Sequence, residues 1–252
     1  MLHCGLVSVS FRQNSVDDII HAASAAGLSC IEWGSDVHLP PGNRELALTV
    51  GEKTKAAGLF CCSSGSYFRL GQDAPEMILP YLATAKILGT NILRIWGGAK
   101  NFEEYDKREI DALVLQAKRA AQLAGQQGIT LCLELHNWTV TNTYRNALFF
   151  VQAVGSDHLK LYWQPNQFQS DAYNLESAKA LAPYVTQLHV FNWKGKDKFP
   201  LADAIPLWRD YLKAFDGDHC LLLEFMPDGE ITSLQKEAQA LFSIVNQENE
   251  LT

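Results

Sequence analysis

The chain has 252 residues, 47% of them hydrophobic, and a formal net charge of −7. That size and apolar fraction suit one α/β domain, residues 1–252, with a full core. The acidic balance argues against a nucleic-acid surface, which needs clustered Lys and Arg, and no apolar stretch approaches the ~20 residues that span a bilayer.

The N-terminal MLHCGLVSVSF lacks a basic leader and runs directly into a strand pattern, so a cytoplasmic protein without a signal peptide is expected. Short apolar runs bounded by turn residues then mark candidate strands at 3–9, 29–33, 59–64, 91–96, 130–135, 159–163, 185–191 and 220–225. Helical patterns alternate with them. VDDIIHAASAAG has Ser15 as N-cap and Gly27 as its stop. RELALTVGEKTKAAG ends at Gly58, and PEMILPYLATAKILG runs from Pro75 to Gly89. KREIDALVLQAKRAAQLAGQQG is the clearest amphipathic pattern and stops at Gly128. NALFFVQAVG, LESAKALAPY, IPLWRDYLKAF and SLQKEAQALFSIVNQ complete the series. Eight strand–helix units in about 250 residues is the rhythm of a (β/α)₈ barrel, with a doubly wound open sheet as the alternative. The 6 cysteines, Cys4, Cys30, Cys61, Cys62, Cys132 and Cys220, form no CxxC pair and read as small buried hydrophobes.

Four runs in the second half each end on a side chain able to ligate a metal: TLCLELH with Glu134, LKLYWQP with Gln164, TQLHVFN with His189 and CLLLEF with Glu224. A carboxylate at the end of an apolar strand is costly unless a cation or hydrogen bonds compensate it. In a barrel such ends converge on one mouth. The spacings of 30, 25 and 35 residues put these four on consecutive strands. Oxygen and imidazole donors without thiolate suit Mn, Mg, Co or Zn as a divalent cofactor.

Around them lie candidate substrate contacts. Arg94 and Trp96 end the fourth strand, and Arg94 could bind a sugar or pair with Glu134. His136, Asn137 and Trp138 follow Glu134 directly. Gln167 follows Gln164, and Asn192 and Lys194 follow the seventh strand, where Lys196 and Lys198 form a basic loop. Asp36 and His38 in the second loop could also reach the mouth. Trp33, Trp138, Trp163 and Trp193 sit at or just past strand ends, a set suited to stacking on sugars.

In these motifs the chain resembles the sugar phosphate isomerase/epimerase superfamily, the xylose isomerase-like TIM barrels, and within it the ketose 3-epimerases. The resemblance covers nearly the whole chain. It implies that Glu134 in LELHN, His189 in LHVFNW and Glu224 in LLLEF are metal ligands. It also implies that Glu134 and Glu224 exchange a substrate proton through an enediolate, and that dimers or tetramers form. One position departs: the family's aspartate falls on Gln164, and a histidine three residues later falls on Gln167. An amide oxygen can ligate a cation but brings no charge, so weaker metal affinity is expected. The leading expectation is a metal-dependent sugar isomerase or epimerase with a small-molecule carbohydrate substrate. A non-catalytic sugar-binding barrel and a dehydratase or lyase on a sugar acid are the alternatives. An endonuclease at abasic DNA sites is disfavoured by the acidic charge and by the histidine-free SSGSY of the third strand.

Overall fold

Strand β1 (Leu2–Val7) begins a strand–helix alternation that repeats eight times in the computed structural model, which describes residues 1–246. The further barrel strands are β2 (Cys30–Gly34), β3 (Phe60–Arg69), β4 (Ile92–Trp96), β5 (Thr130–Glu134), β6 (Leu159–Trp163), β7 (Val185–Val190) and β8 (His219–Leu223). All are parallel, and β8 closes on β1 in a register running from Leu2 opposite His219 to Leu6 opposite Leu223. The helices are α1 (Val16–Ala25), α2 (Arg44–Ala56), α3 (Leu79–Leu88), α4 (Lys107–Gly125), α5 (Tyr144–Val154), α6 (Asp171–Leu181), α7 (Ile205–Leu212) and α8 (Leu234–Val245). The chain is therefore a single-domain (β/α)₈ TIM barrel.

Local chemistry sets the helix ends. Ser15 caps α1 by accepting from the Asp18 amide while Asp18 reaches back to the Ser15 amide, and Asp106 with Glu109 repeats the device on α4. Gly89 stops α3 in the left-handed conformation at φ 77°, where a Cβ would be strained.

The period-two alternation of each strand divides the core in two. One set of side chains packs between sheet and helices, including Leu93, Leu131, Leu161 and Leu188. The other fills the barrel interior: Val7, Cys30, Cys62, Cys132, Tyr162, Cys220 and Leu222. This alternation corrects the expectation for two tryptophans. Tyr162 points inward, so Trp163 points out and packs against Trp208, Tyr211 and Phe215, with its Nε1 donating to Ser177 on α6. Trp33 likewise lies fully buried and donates to Thr54 on α2. Neither reaches the mouth.

Smaller differences also have local causes. Strand β3 was predicted at 59–64 but runs on to Arg69, where it pairs with Trp96 after an irregularity beyond Gly65. A 3-10 turn (Pro75–Ile78) precedes α3, and the lysine loop folds into a small antiparallel ribbon of Trp193–Lys194 against Asp197–Lys198. The predicted last helix reaches Gln247, which lies outside the described residues. No helix among the described residues is long and apolar enough to cross a membrane.

Candidate metal centre

Consecutive strands deliver the four side chains. Glu134 is the last residue of β5, Gln164 follows β6 directly, His189 lies in β7 and Glu224 follows β8. All four are buried. His189 Nδ1 lies 2.9 Å from Gln164 Oε1, 3.6 Å from Glu134 Oε1 and 3.5 Å from Glu224 Oε2. The donor atoms of Glu134, His189 and Glu224 lie within 4.8 Å of one another. Gln164 is oriented from behind: its Nε2 donates to the Leu135 carbonyl at 2.9 Å, which turns Oε1 toward His189. The imidazole stands edge-on to Tyr162, with ring centroids 5.1 Å apart. Three oxygens thus surround one nitrogen, an O₃N donor set that fits a divalent ion of the Mn, Mg, Co or Zn group.

Beneath this cluster lies an ion-pair chain: the Arg94–Glu134 pair, one of the two readings the sequence offered for Arg94, extended to Glu32, which sequence reasoning did not single out. Arg94 Nε donates to Glu32 Oε1 at 2.8 Å, and its Nη1 donates to Glu134 Oε2. Glu32 is wholly buried and also accepts from Ser63 Oγ at 2.8 Å. Its signal was available: a carboxylate in the middle of the apolar strand CIEWG. Space for the pair comes from Gly65, where a Cβ would stand 2.7 Å from both Arg94 Nη2 and Glu32 Oε1.

The electrostatics follow from this chain. Burial pushes Glu134 up, but Arg94 and His189 outweigh it and hold its carboxyl below the usual range. Burial raises Glu224 too, and there the neighbouring Glu134 adds to the rise while His189 only partly offsets it. Burial lowers His189, but Glu224 and Glu134 bring it above its ordinary value. Arg94 balances one carboxylate, so Glu32 and Arg94 together are neutral and Glu134 with Glu224 carry two formal negative charges. A divalent cation would neutralise that remainder.

The cluster opens into a cavity of about 340 Å³ lined by His136, Trp138, Gln167, Trp193, Lys196, Lys198 and Phe225. His136 is fixed by a 2.6 Å contact from Nδ1 to the Asn137 carbonyl. Trp138 is 63% exposed and held at φ 61°, a left-handed conformation that projects the indole over the rim. The other sequence candidates are placed elsewhere. Trp96 packs edge-on to His136 at 5.0 Å and under Arg69. Asn192 donates to the Pro200 carbonyl at 2.9 Å, and both Asn192 and Lys194 line a neighbouring cleft with Trp208 and Tyr211. Asp36 pairs with Arg12, and buried His38 bonds Ser8 and the Asn14 carbonyl.

Residues 20–240 match the family described as xylose isomerase-like TIM barrel. Among solved structures, the chain is similar to a probable 3-DHS dehydratase, AsbF, involved in petrobactin synthesis in Bacillus anthracis. The TM-score is 0.76 at 20% identity, over 96% of this chain and 99% of that one. It is also similar to a D-psicose 3-epimerase from Clostridium cellulolyticum H10, with TM-score 0.68 and 17% identity over 96% and 98% of the two chains. A third similar structure is the IOLI protein with a bound zinc atom, with TM-score 0.71 and 15% identity over 96% of each chain. No curated protein matches the sequence.

Proposed function

The chain belongs to the xylose isomerase-like TIM barrel family, and from that premise we propose that it is a divalent-metal-dependent isomerase or epimerase of a small sugar or related keto-polyol. Glu134, Gln164, His189 and Glu224 are the proposed ligands, and Glu134 and Glu224 the proposed proton-transfer pair. The observation that carries this reading is the convergence of three side-chain oxygens on His189 Nδ1.

A divalent ion held there would polarise a substrate carbonyl and its neighbouring hydroxyl, acidifying the C–H between them. The chain's own residues do the rest. Arg94 holds Glu134 through Oε2 and leaves Oε1 facing the centre, so this carboxylate has a fixed direction. Glu224 takes no ion pair from Arg94 and faces His189 from β8. One carboxylate removes the proton and the other returns it. Trp138, Trp193 and Phe225 offer apolar faces to the C–H side of a sugar, and His136 and Gln167 offer polar atoms to its hydroxyls.

Lys196 and Lys198 on the same cavity support a second reading, an acidic substrate such as a sugar acid. There the same proton removal expels a hydroxyl, and the protein is a dehydratase.

The test is proton exchange in D₂O over a panel of ketoses and hydroxy-keto acids with Mn, Mg, Co or Zn, followed by NMR. Deuterium entering beside the carbonyl, with an isomeric product, is the expected result. A dehydrated, ultraviolet-absorbing product selects the second reading. Glu224→Gln is expected to slow exchange by about 10²-fold or more. Binding of sugars without exchange under any metal would leave a non-catalytic barrel.

A further inference from the structure

A second cluster of ligand-type atoms lies inside the barrel, away from the mouth. The sulfurs of Cys30, Cys62 and Cys220 all fall within 4.8 Å of one another, and all three residues are buried. They come from β2, β3 and β8, the strands that flank β1 on either side and the next one round. Two backbone devices bring them together. On β1, Gly5 faces Cys30, and a Cβ there would stand 2.4 Å from Cys30 Sγ, so the absent side chain makes room for the sulfur. On β3, the register slips between Ile31 and Glu32, leaving Cys62 as the residue without a partner. Strand alternation turns Cys62 into the interior while Cys61 joins the outer layer, and the bulge lets Ser63 follow it inward to pair with Glu32.

We propose that Cys30, Cys62 and Cys220 form a soft-metal site that takes a thiophilic monovalent d¹⁰ cation, Cu(I), in three-sulfur coordination. Thiolates select soft ions over the hard ions suited to carboxylates. An ion about 2.3 Å from each sulfur sets the sulfurs about 4 Å apart, inside the observed limit. The group has three members among the described residues, whereas structural zinc is almost always held by four ligands.

The surroundings supply what such a site needs. Gln187 ties the cluster together: its Oε1 accepts from the Cys220 amide at 2.9 Å and its Nε2 donates to the Cys62 carbonyl at 3.4 Å. Access is from the N-terminal end of the barrel, where a cavity of about 250 Å³ is lined by His3, Thr186, Gln187, His219 and Cys220. Binding displaces the thiol protons of the three cysteines to solvent through that opening. Cys220 precedes Glu224 by four residues, about 13 Å of strand, so the two centres are separate.

The test is an anaerobic titration of the reduced full chain with Cu(I) supplied as its bicinchoninate complex. The chain is expected to withdraw one equivalent, with a new near-ultraviolet thiolate-to-copper absorption. X-ray absorption at the copper edge is expected to show three sulfur neighbours. Cys62→Ala and Cys220→Ala are expected to abolish withdrawal, while Cys61→Ala and Glu224→Gln retain it. Failure of the wild-type chain to withdraw copper, or oxygen and nitrogen neighbours at the edge, would overturn the proposal without reference to any variant. So would retention of uptake in the folded cysteine variants. An intact mass two hydrogens lower before reduction, with uptake absent afterwards, would mark the sulfurs as a disulfide pair instead.

Discussion

Arg94 stands between two buried carboxylates and is itself only 3% exposed. Removing it would leave Glu32 and Glu134 charged, dry and facing one another. Arg94→Met is therefore expected to lose about 3–5 kcal/mol of stability, read as a lower urea midpoint. Arg94→Lys is expected to recover only part of that, because a single ammonium cannot match the guanidinium fork that reaches both partners. The same residues show how far the sequence is legible. Glu134, His189 and Glu224 stood out as polar groups ending apolar strands, and the fold brings them together. Glu32 sits in an equally apolar run but on β2, outside the spacing that linked the other four. Gln164 could be placed at a strand end, but not oriented, because its partner is a backbone carbonyl at Leu135. Trp163 was misplaced because position along a strand does not tell which face a side chain takes until one neighbour's direction is known.

Strand β3 shows the same limit at the scale of the element. Its start was legible in FCCSS, but its continuation through GSYFR lacks the apolar content that marks a buried strand. Pairing with β4 overrides that local pattern, and Gly65 opposite Arg94 is part of the reason the pairing matters. Gly65→Ala would set a Cβ 2.7 Å from two side-chain ends that their ion pair keeps from moving. The expected result is a loss of about 1–3 kcal/mol in denaturant unfolding. Weaker divalent-ion binding should accompany it, since a displaced Arg94 no longer holds Glu134. Helix ends, by contrast, were readable residue by residue, because Ser15, Gly27 and Gly89 act through their own backbone and caps. Ser15→Ala is expected to cost about 1 kcal/mol in the same unfolding experiment, without changing ion binding.

At the scale of the whole barrel, eight strands place charge from opposite sides of the ring onto one axis. The balance among those charges gives Gln164 a meaning its own strand does not. With Glu32 offset by Arg94, the centre carries the two formal charges of Glu134 and Glu224, which a divalent ion would neutralise. Gln164→Asp would add a third carboxylate beside two that are already buried, and would remove the hydrogen bond that the Gln164 side-chain amide donates to the Leu135 carbonyl. The effect should change sign with the ion. In chelator, the variant is expected to melt below the wild type, because the added charge is dry and repelled by Glu134 and Glu224. With excess Mn or Co it is expected to gain more from the ion than the wild type does. A ligand present at 100 times its dissociation constant stabilises by about 2.7 kcal/mol, and a tenfold tighter site adds about 1.4 kcal/mol. Thermal melts of both proteins, with chelator and across an ion series, read both signs at once. Equal stabilisation of the two would place Gln164 outside the coordination shell. No stabilisation of either by any divalent ion would remove the metal from the proposed mechanism and leave the cluster as a hydrogen-bonded network around His189.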